Sequence, residues 1–176
     1  MSELEVIHYV SAKMFFAVVC GAVIGVDREL TRAPAGFKTH ILICVGSMLF
    51  TVGPSLGDPA STLPDEVGRV IAQIISGVGF LGAGAIMRSN SSHVIGLTTA
   101  AWIWFTAAVG ILVGVGHGGS ALFITSSLVA VIAGARQIER IIFKKVPYSA
   151  QRHLHAVDSH TPPQDNQGDH SKPKAS

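Results

Sequence analysis

The residues best able to do chemistry stand in short charged blocks between long apolar runs. Asp27, Arg28 and Glu29 follow Gly25 at the end of one run, Lys38, Thr39 and His40 open the next, and Arg88 closes a third. Ionisable groups at a membrane boundary are costly unless paired, and such groups often mark function. Two readings stand for this set: a solvated anchor beside the membrane, or an interior ion-pair network. Arg69, Gln73 and Ser76, at spacings of four and three, share one face of a helix. That stripe would either line a solute path or bond to neighbouring helices, since small polar residues commonly hold membrane helices together.

Gly77, Gly79 and Gly82 spell G-x-G-x-x-G, with Gly84 close behind. A dinucleotide site requires a strand before this motif and a soluble helix after it. Here the motif lies inside an apolar run, so that reading fails. No G-x-x-x-x-G-K-[ST] occurs, which argues against a nucleotide-driven pump. Glycines of this kind let helix backbones approach closely in lipid, and Gly21/Gly25, Gly110/Gly114 and Ala130/Gly134 repeat the spacing of four. The density in the third run also suits a helix lining a cavity, where irregular backbone is tolerated. Gly96, Thr98 and Thr99 open a further run, with the threonines placed to bond to carbonyls of their own helix. Trp102 and Trp104 are expected to pack between helices. No nucleophile–base set and no metal-ligand cluster lies in the spans, so neither enzymatic activity nor a cofactor is expected. His153, His155, His160 and His170 are irregularly spaced and joined by no cysteine, which is a poor metal pattern. Cys20 and Cys44 lie in apolar runs and read as buried core thiols.

The elements that must position these residues follow from composition. Charged residues make up 14% of the 176, and mean hydropathy is +0.46. A soluble domain carries roughly 25% charge. A net charge of +2 gives no reason to expect a nucleic-acid partner. About 20 apolar residues in a helix cross a bilayer, and five such runs are expected at residues 6–26, 40–56, 67–87, 94–115 and 119–135. Pro34-Ala35-Gly36, Gly57-Asp58-Pro59, Leu63-Pro64-Asp65, Ser89 to Ser92 and His117-Gly118-Gly119 supply the helix stops. The fold class is therefore all-α: a polytopic membrane bundle of about five helices.

Arg28, Arg32, Lys38, Arg88, Arg136, Arg140, Lys144, Lys145 and Arg152 fall on one side, and the opposite connections carry no Lys or Arg. This asymmetry predicts an N-terminus outside and a C-terminus in the cytoplasm. Lys13 and Arg69 then lie in the outer halves of their helices. The acidic lead Met1 to Glu5 is unlike the n-region of a cleaved signal peptide. A continuation of the last helix over Gln137 to Lys145 has an Ile138, Ile141, Ile142 face and a basic flank suited to anionic lipid. Residues 146–176 are polar and proline-bearing, and are expected to form a disordered cytoplasmic tail after a transmembrane domain at 6–145.

Four ordered blocks resemble the MgtC/SapB family of bacterial membrane proteins: Gly21 to Glu29, Ala35 to His40, Arg69 through Gly77 to Gly84, and Gly96 to Ala101. Together they span roughly residues 10 to 140. Asp27 stands where the family usually has Glu, and Lys38 where it usually has Arg; Lys keeps the charge but loses the bidentate fork. Well-known members add a folded cytoplasmic domain where only a short polar tail is read here. The resemblance implies a protein of the bacterial inner membrane linked to growth at low magnesium and, in pathogens, to survival inside host cells. It also implies action on other membrane machines, including ATP synthase, rather than ATPase activity. Two functions remain open: a non-enzymatic accessory protein of magnesium homeostasis working through membrane partners or as a homo-oligomer, and a small ion transporter using the Arg69–Gln73–Ser76 stripe. If the ion-pair reading is right, reversing the charge at Asp27 (Asp27→Lys) abolishes folding or activity; a variant retaining both in a melting and complementation assay contradicts it.

Overall fold

A computed structural model describes residues 2–56, 64–88 and 94–143. The chain forms helices α1 (Glu3–Leu30), α2 (Phe37–Val52), α3 (Pro64–Ala85), α4 (Leu97–Gly114) and α5 (Gly118–Phe143). A 3-10 turn, Gly53–Leu56, prolongs α2, and the two-residue strands β1 (Met87–Arg88) and β2 (Val94–Ile95) stand between α3 and α4. They pair antiparallel, with Met87 opposite Ile95 and Arg88 opposite Val94. Among the described residues, five helices are long and apolar enough to cross a membrane. The tail, residues 146–176, and Ser89 to Ser92 lie outside the described residues, as does the Arg88 side chain.

Helix ends leave backbone groups unsatisfied, and in lipid these must find partners within the protein. Ser2 and Glu5 form a reciprocal cap at the start of α1: Ser2 N–H donates to Glu5 Oε2 at 2.7 Å, and Glu5 N–H to Ser2 Oγ at 3.4 Å. That cap explains why α1 begins several residues before the apolar run. At its other end, Arg32 N–H reaches Glu29 O and Ala33 N–H reaches Arg28 O, both at 3.0 Å. This is the Schellman arrangement, and it puts Arg32 at φ 54°, where glycine is more usual. α4 ends the same way on Gly116 at φ 104°, with His117 N–H donating to Leu112 O at 3.1 Å. α4 starts at Leu97 rather than Val94, because Val94 and Ile95 are taken into the β ladder.

Residues 2–133 form one unit. Its core is α2, packed between α1 and α4. Both flanking helices present a glycine pair to the α2 backbone. A methyl group at Gly21 would sit 2.8 Å from Ile41 Cα, and one at Gly25 would sit 2.7 Å from Phe37 Cα. On the other side, a methyl at Gly110 would lie 2.8 Å from Ser47 Cβ, and one at Gly114 would lie 2.6 Å from Thr51 Cβ. Ala17, Cys20, Cys44, Met48, Val52, Val109, Val113 and Ala121 fill the space so formed. Both cysteines are free and fully buried. Thr51 and Thr106 turn their hydroxyls back onto Ser47 O and Trp102 O, each at 2.7 Å, so neither polar group is left bare in this core.

α3 is attached differently. Ile74 and Val78 pack on Ile103 and Ala107 of α4, and a methyl group at Gly82 would lie 3.7 Å from Ala100 Cβ. A methyl group at Gly68, Gly77, Gly79 or Gly84 would meet nothing within 4 Å. Of the α3 glycines, Gly82 alone faces another helix of the chain at contact distance. Gly134 of the Ala130/Gly134 pair is also open. Trp102 is buried, but Trp104 is 53% exposed, so only the first packs between helices as expected. The second unit is described for Gly134–Phe143, the last turns of α5, where Ile138, Ile141 and Ile142 are exposed.

Gly25→Val and Gly110→Val drive side chains into α2 backbone, and each is expected to cost about 1–3 kcal/mol of stability. Gly79→Ala meets open space, and is expected to be neutral or to gain about 0.5–1 kcal/mol from helix propensity. Thermal melts in detergent test this order; a larger loss at Gly79 than at Gly110 contradicts it.

Candidate functional site

The C-terminal end of α1 and the N-terminal ends of α2 and α4 meet at one end of the first unit. Here the structure brings together much of the charged set. Asp27 and Arg28 are neighbours in sequence, and adjacent helical residues do not normally face each other. The guanidinium folds back so that Arg28 Nε and Nη2 donate to Asp27 Oδ2 at 3.0 and 2.5 Å. Their side chains are 7% and 10% exposed. Arg28 also lies 4.8 Å from the centroid of the Trp102 ring, a cation–π distance. The pair is therefore enclosed against α4 rather than bathed in solvent.

Glu29 departs from the expected ion-pair network. Its Oε2 accepts the Phe37 N–H at 3.0 Å. Phe37 is the first residue of α2, and the N-cap, Gly36, supplies no side-chain bond of its own. A carboxylate from α1 thus caps α2, where the helix dipole favours negative charge. Any side chain at position 36 would run into that carboxylate. Lys38 and Thr39 are exposed, and with Glu29, Gly36 and Phe37 they line a cavity of about 650 Å³.

His40, one turn deeper, is fully buried. Its Nδ1 is 2.8 Å from Thr106 Oγ1, whose own proton goes to Trp102 O. Thr106 therefore accepts, and Nδ1 carries the hydrogen, an assignment that rests on the hydrogen-bond network. Nε2 makes no hydrogen bond of good geometry among the described residues, and the Ala35 backbone also lies close to the ring. Gly96 begins α4 at φ 92°, and a Cβ there would strike Ala85 O. Thr99 is buried and Thr98 exposed.

The α3 stripe divides. Arg69, Gln73 and Gly77 line a groove of about 890 Å³ between α2 and α3, together with Gly46, Ser47 and apolar residues. Ser76 is exposed but outside the groove, because one residue step turns a helix by about 100°. Sequence reasoning missed Trp102 and Thr106 as partners of Arg28 and His40. It also missed that Lys13 Nζ donates to Gly114 O at 2.6 Å and Tyr9 Oη at 2.7 Å, capping the end of α4 with a cation. No local signal pairs residues on α1 or α2 with residues on α4. Among the described residues no three His, Cys, Asp or Glu side chains converge on a metal position.

A sequence model of the MgtC family matches residues 14–141. The chain is 37% identical over 140 residues to Protein SrpB of Synechococcus elongatus, covering 74% of this chain and 77% of that protein. It is 45% identical over 104 residues to the Escherichia coli protein named "Putative magnesium transporter YhiD", covering 57% of this chain and 47% of YhiD. With Protein MgtC of Salmonella typhimurium it shares 38% identity over 135 residues, which is 77% of this chain and 55% of that protein. The chain thus spans about half the length of the YhiD and MgtC relatives. No solved structure matches it.

Thr106→Val removes the acceptor of a fully buried N–H, and is expected to lower stability by about 1–3 kcal/mol. Thr106→Ser keeps the hydroxyl and should recover most of that loss. Equal melting temperatures for the Val variant and the parent contradict the assigned bond.

Proposed function

The chain belongs to the MgtC family, and on that premise we propose that it is a non-enzymatic accessory protein of magnesium homeostasis in the bacterial inner membrane, acting by lateral association with other membrane proteins. One observation carries this reading. The glycine pairs of α1 and α4 are closed off by α2, whereas a methyl group at Gly68, Gly77, Gly79 or Gly84 of α3 would meet nothing within 4 Å. Gly68, Ala72, Ser76, Gly79 and Ala83, at spacings of four, four, three and four, give α3 an exposed small-residue face. In lipid the hydrophobic effect does not drive helices together, and close backbone approach over small residues is a main source of affinity. A face of that composition left uncovered within the chain suits a helix of another membrane protein or of a second copy. The distribution of Lys and Arg supports an N-terminus outside and a C-terminus in the cytoplasm.

Transport is the second reading. It is favoured by the Arg69–Gln73 groove, and by the name of the relative YhiD, "Putative magnesium transporter YhiD". Against it, the groove lies to the side of α2, and the space between α1, α2 and α4 is closed by Cys20, Cys44, Met48, Val109 and Val113.

Purification in mild detergent followed by reconstitution separates the two. The accessory reading expects a second membrane protein, or a second copy, to co-purify. It also expects Gly79→Leu to lose that partner without losing the fold, and proteoliposomes to pass no magnesium, sodium, potassium or protons. Flux by the purified protein that Gln73→Ala abolishes establishes the transport reading instead.

A further inference from the structure

The groove between α2 and α3 has a polar end and an apolar body. Arg69 and Gln73 are exposed within it. Among the described residues neither has a hydrogen-bond or ion-pair partner, and Glu66, three residues before Arg69, makes no ion pair with it. Arg69 lies five residues into α3, about 8 Å along the helix from its start. That is the depth at which an arginine reaches the headgroup layer. Beyond Gln73 the walls are Leu42, Ile43, Ile74, Val78 and Leu81. Gly46 and Gly77 face the groove from α2 and α3, and a Cβ on either meets nothing within 4 Å, so these two positions hollow it out.

We propose that this groove is a binding site for one anionic phospholipid, whose phosphate sits on Arg69 with Gln73 beside it and whose acyl chain lies along the Gly46–Gly77 hollow. The charge sets the headgroup class: among the described residues no carboxylate pairs with Arg69, and an arginine so placed in a membrane helix is matched by an anionic, fork-compatible oxygen group. The same cation disfavours a metal ion at that end. The dimensions set the tail. From Arg69 to Leu81 the helix runs about 18 Å, close to the roughly 15 Å depth of one leaflet. The volume of about 890 Å³ falls within the usual size of small-molecule sites. The groove centres on Gln73 and Gly77 and shares only its Ala72 edge with the Gly68–Ala83 stripe, so Gly77→Leu tests the groove and Gly79→Leu the stripe.

Native mass spectrometry of the full chain, purified in mild detergent from membranes containing phosphatidylglycerol, cardiolipin and phosphatidylethanolamine, tests the proposal. One anionic phospholipid is expected to remain bound per chain, with the zwitterionic lipid at least tenfold less abundant in the complex. Arg69→Gln should reduce retention about tenfold. Gly77→Leu fills the hollow with Arg69 intact and should expel the lipid, which keeps the test decisive if the arginine variant folds poorly. Inorganic phosphate at millimolar concentration should not displace it. Equal retention by parent and both variants identifies ordinary boundary lipid and overturns the proposal. So does displacement by phosphate alone, or a disulfide-linked dimer formed through Gly77→Cys. Loss of a co-purifying protein on Gly79→Leu, with lipid retention unchanged, bears on the accessory reading only.

Discussion

The fold depends on how closely the α2 backbone lies against its two neighbours. Four glycines permit it: Gly21 and Gly25 on α1, and Gly110 and Gly114 on α4, each facing α2 atoms where no side chain fits. A bilayer offers no hydrophobic drive to bring helices together, so dispersion over close-packed backbone has to supply much of the attachment. The approach brings other groups into reach. With α2 against α1, the Glu29 carboxylate meets the first N–H of α2, and with α4 against both, Lys13 meets the last carbonyl of α4 and Arg28 meets Trp102. The polar chemistry at both ends of the unit is thus a consequence of apolar packing in the middle.

This arrangement separates the molecule into a closed part and an open part. In the closed part, buried polar groups are largely spoken for: Thr51, Thr106 and Arg28 all have partners, and His40 Nε2 and Thr125 Oγ1 are the buried side-chain atoms without one among the described residues. α3 is the open part. It holds to α4 through Ile74, Val78 and Gly82, and turns most of its glycines outward. Glycine in a helix costs about 0.5–1 kcal/mol relative to alanine, and four outward glycines on one helix return nothing to the isolated chain. On the proposed reading, their use lies in what α3 meets outside it.

Much of this was legible in the sequence, and the remainder was not for physical reasons. Five apolar runs announced five helices, because length and hydropathy alone decide what crosses a bilayer. The helix ends were less legible. Ser2 and Glu5 carry α1 beyond its apolar run, and the β ladder shortens α4, since ends are set by where backbone groups find partners. Gly21/Gly25 and Gly110/Gly114 were readable as packing pairs from spacing. The α3 glycines share that composition but not that use, and only the position of the neighbouring backbone distinguishes them. The charged block was seen as a set, yet Glu29 serves a helix end rather than a cation, and Arg28 and His40 depend on α4 residues that no local pattern links to them.

The central claim is that α3 presents its small-residue face to another protein helix and does not wall a water-filled path. Single cysteines at Gly68, Ser76, Gly79 and Ala83, in a chain with Cys20 and Cys44 replaced by alanine, test it in native membranes with a water-soluble thiol reagent and a short bifunctional crosslinker. The account predicts no labelling from water at Ser76, Gly79 and Ala83, and crosslinking of these positions to a second membrane polypeptide. Water-accessible labelling along the whole face, with no crosslinked product, would contradict it and make α3 the wall of an aqueous conduit.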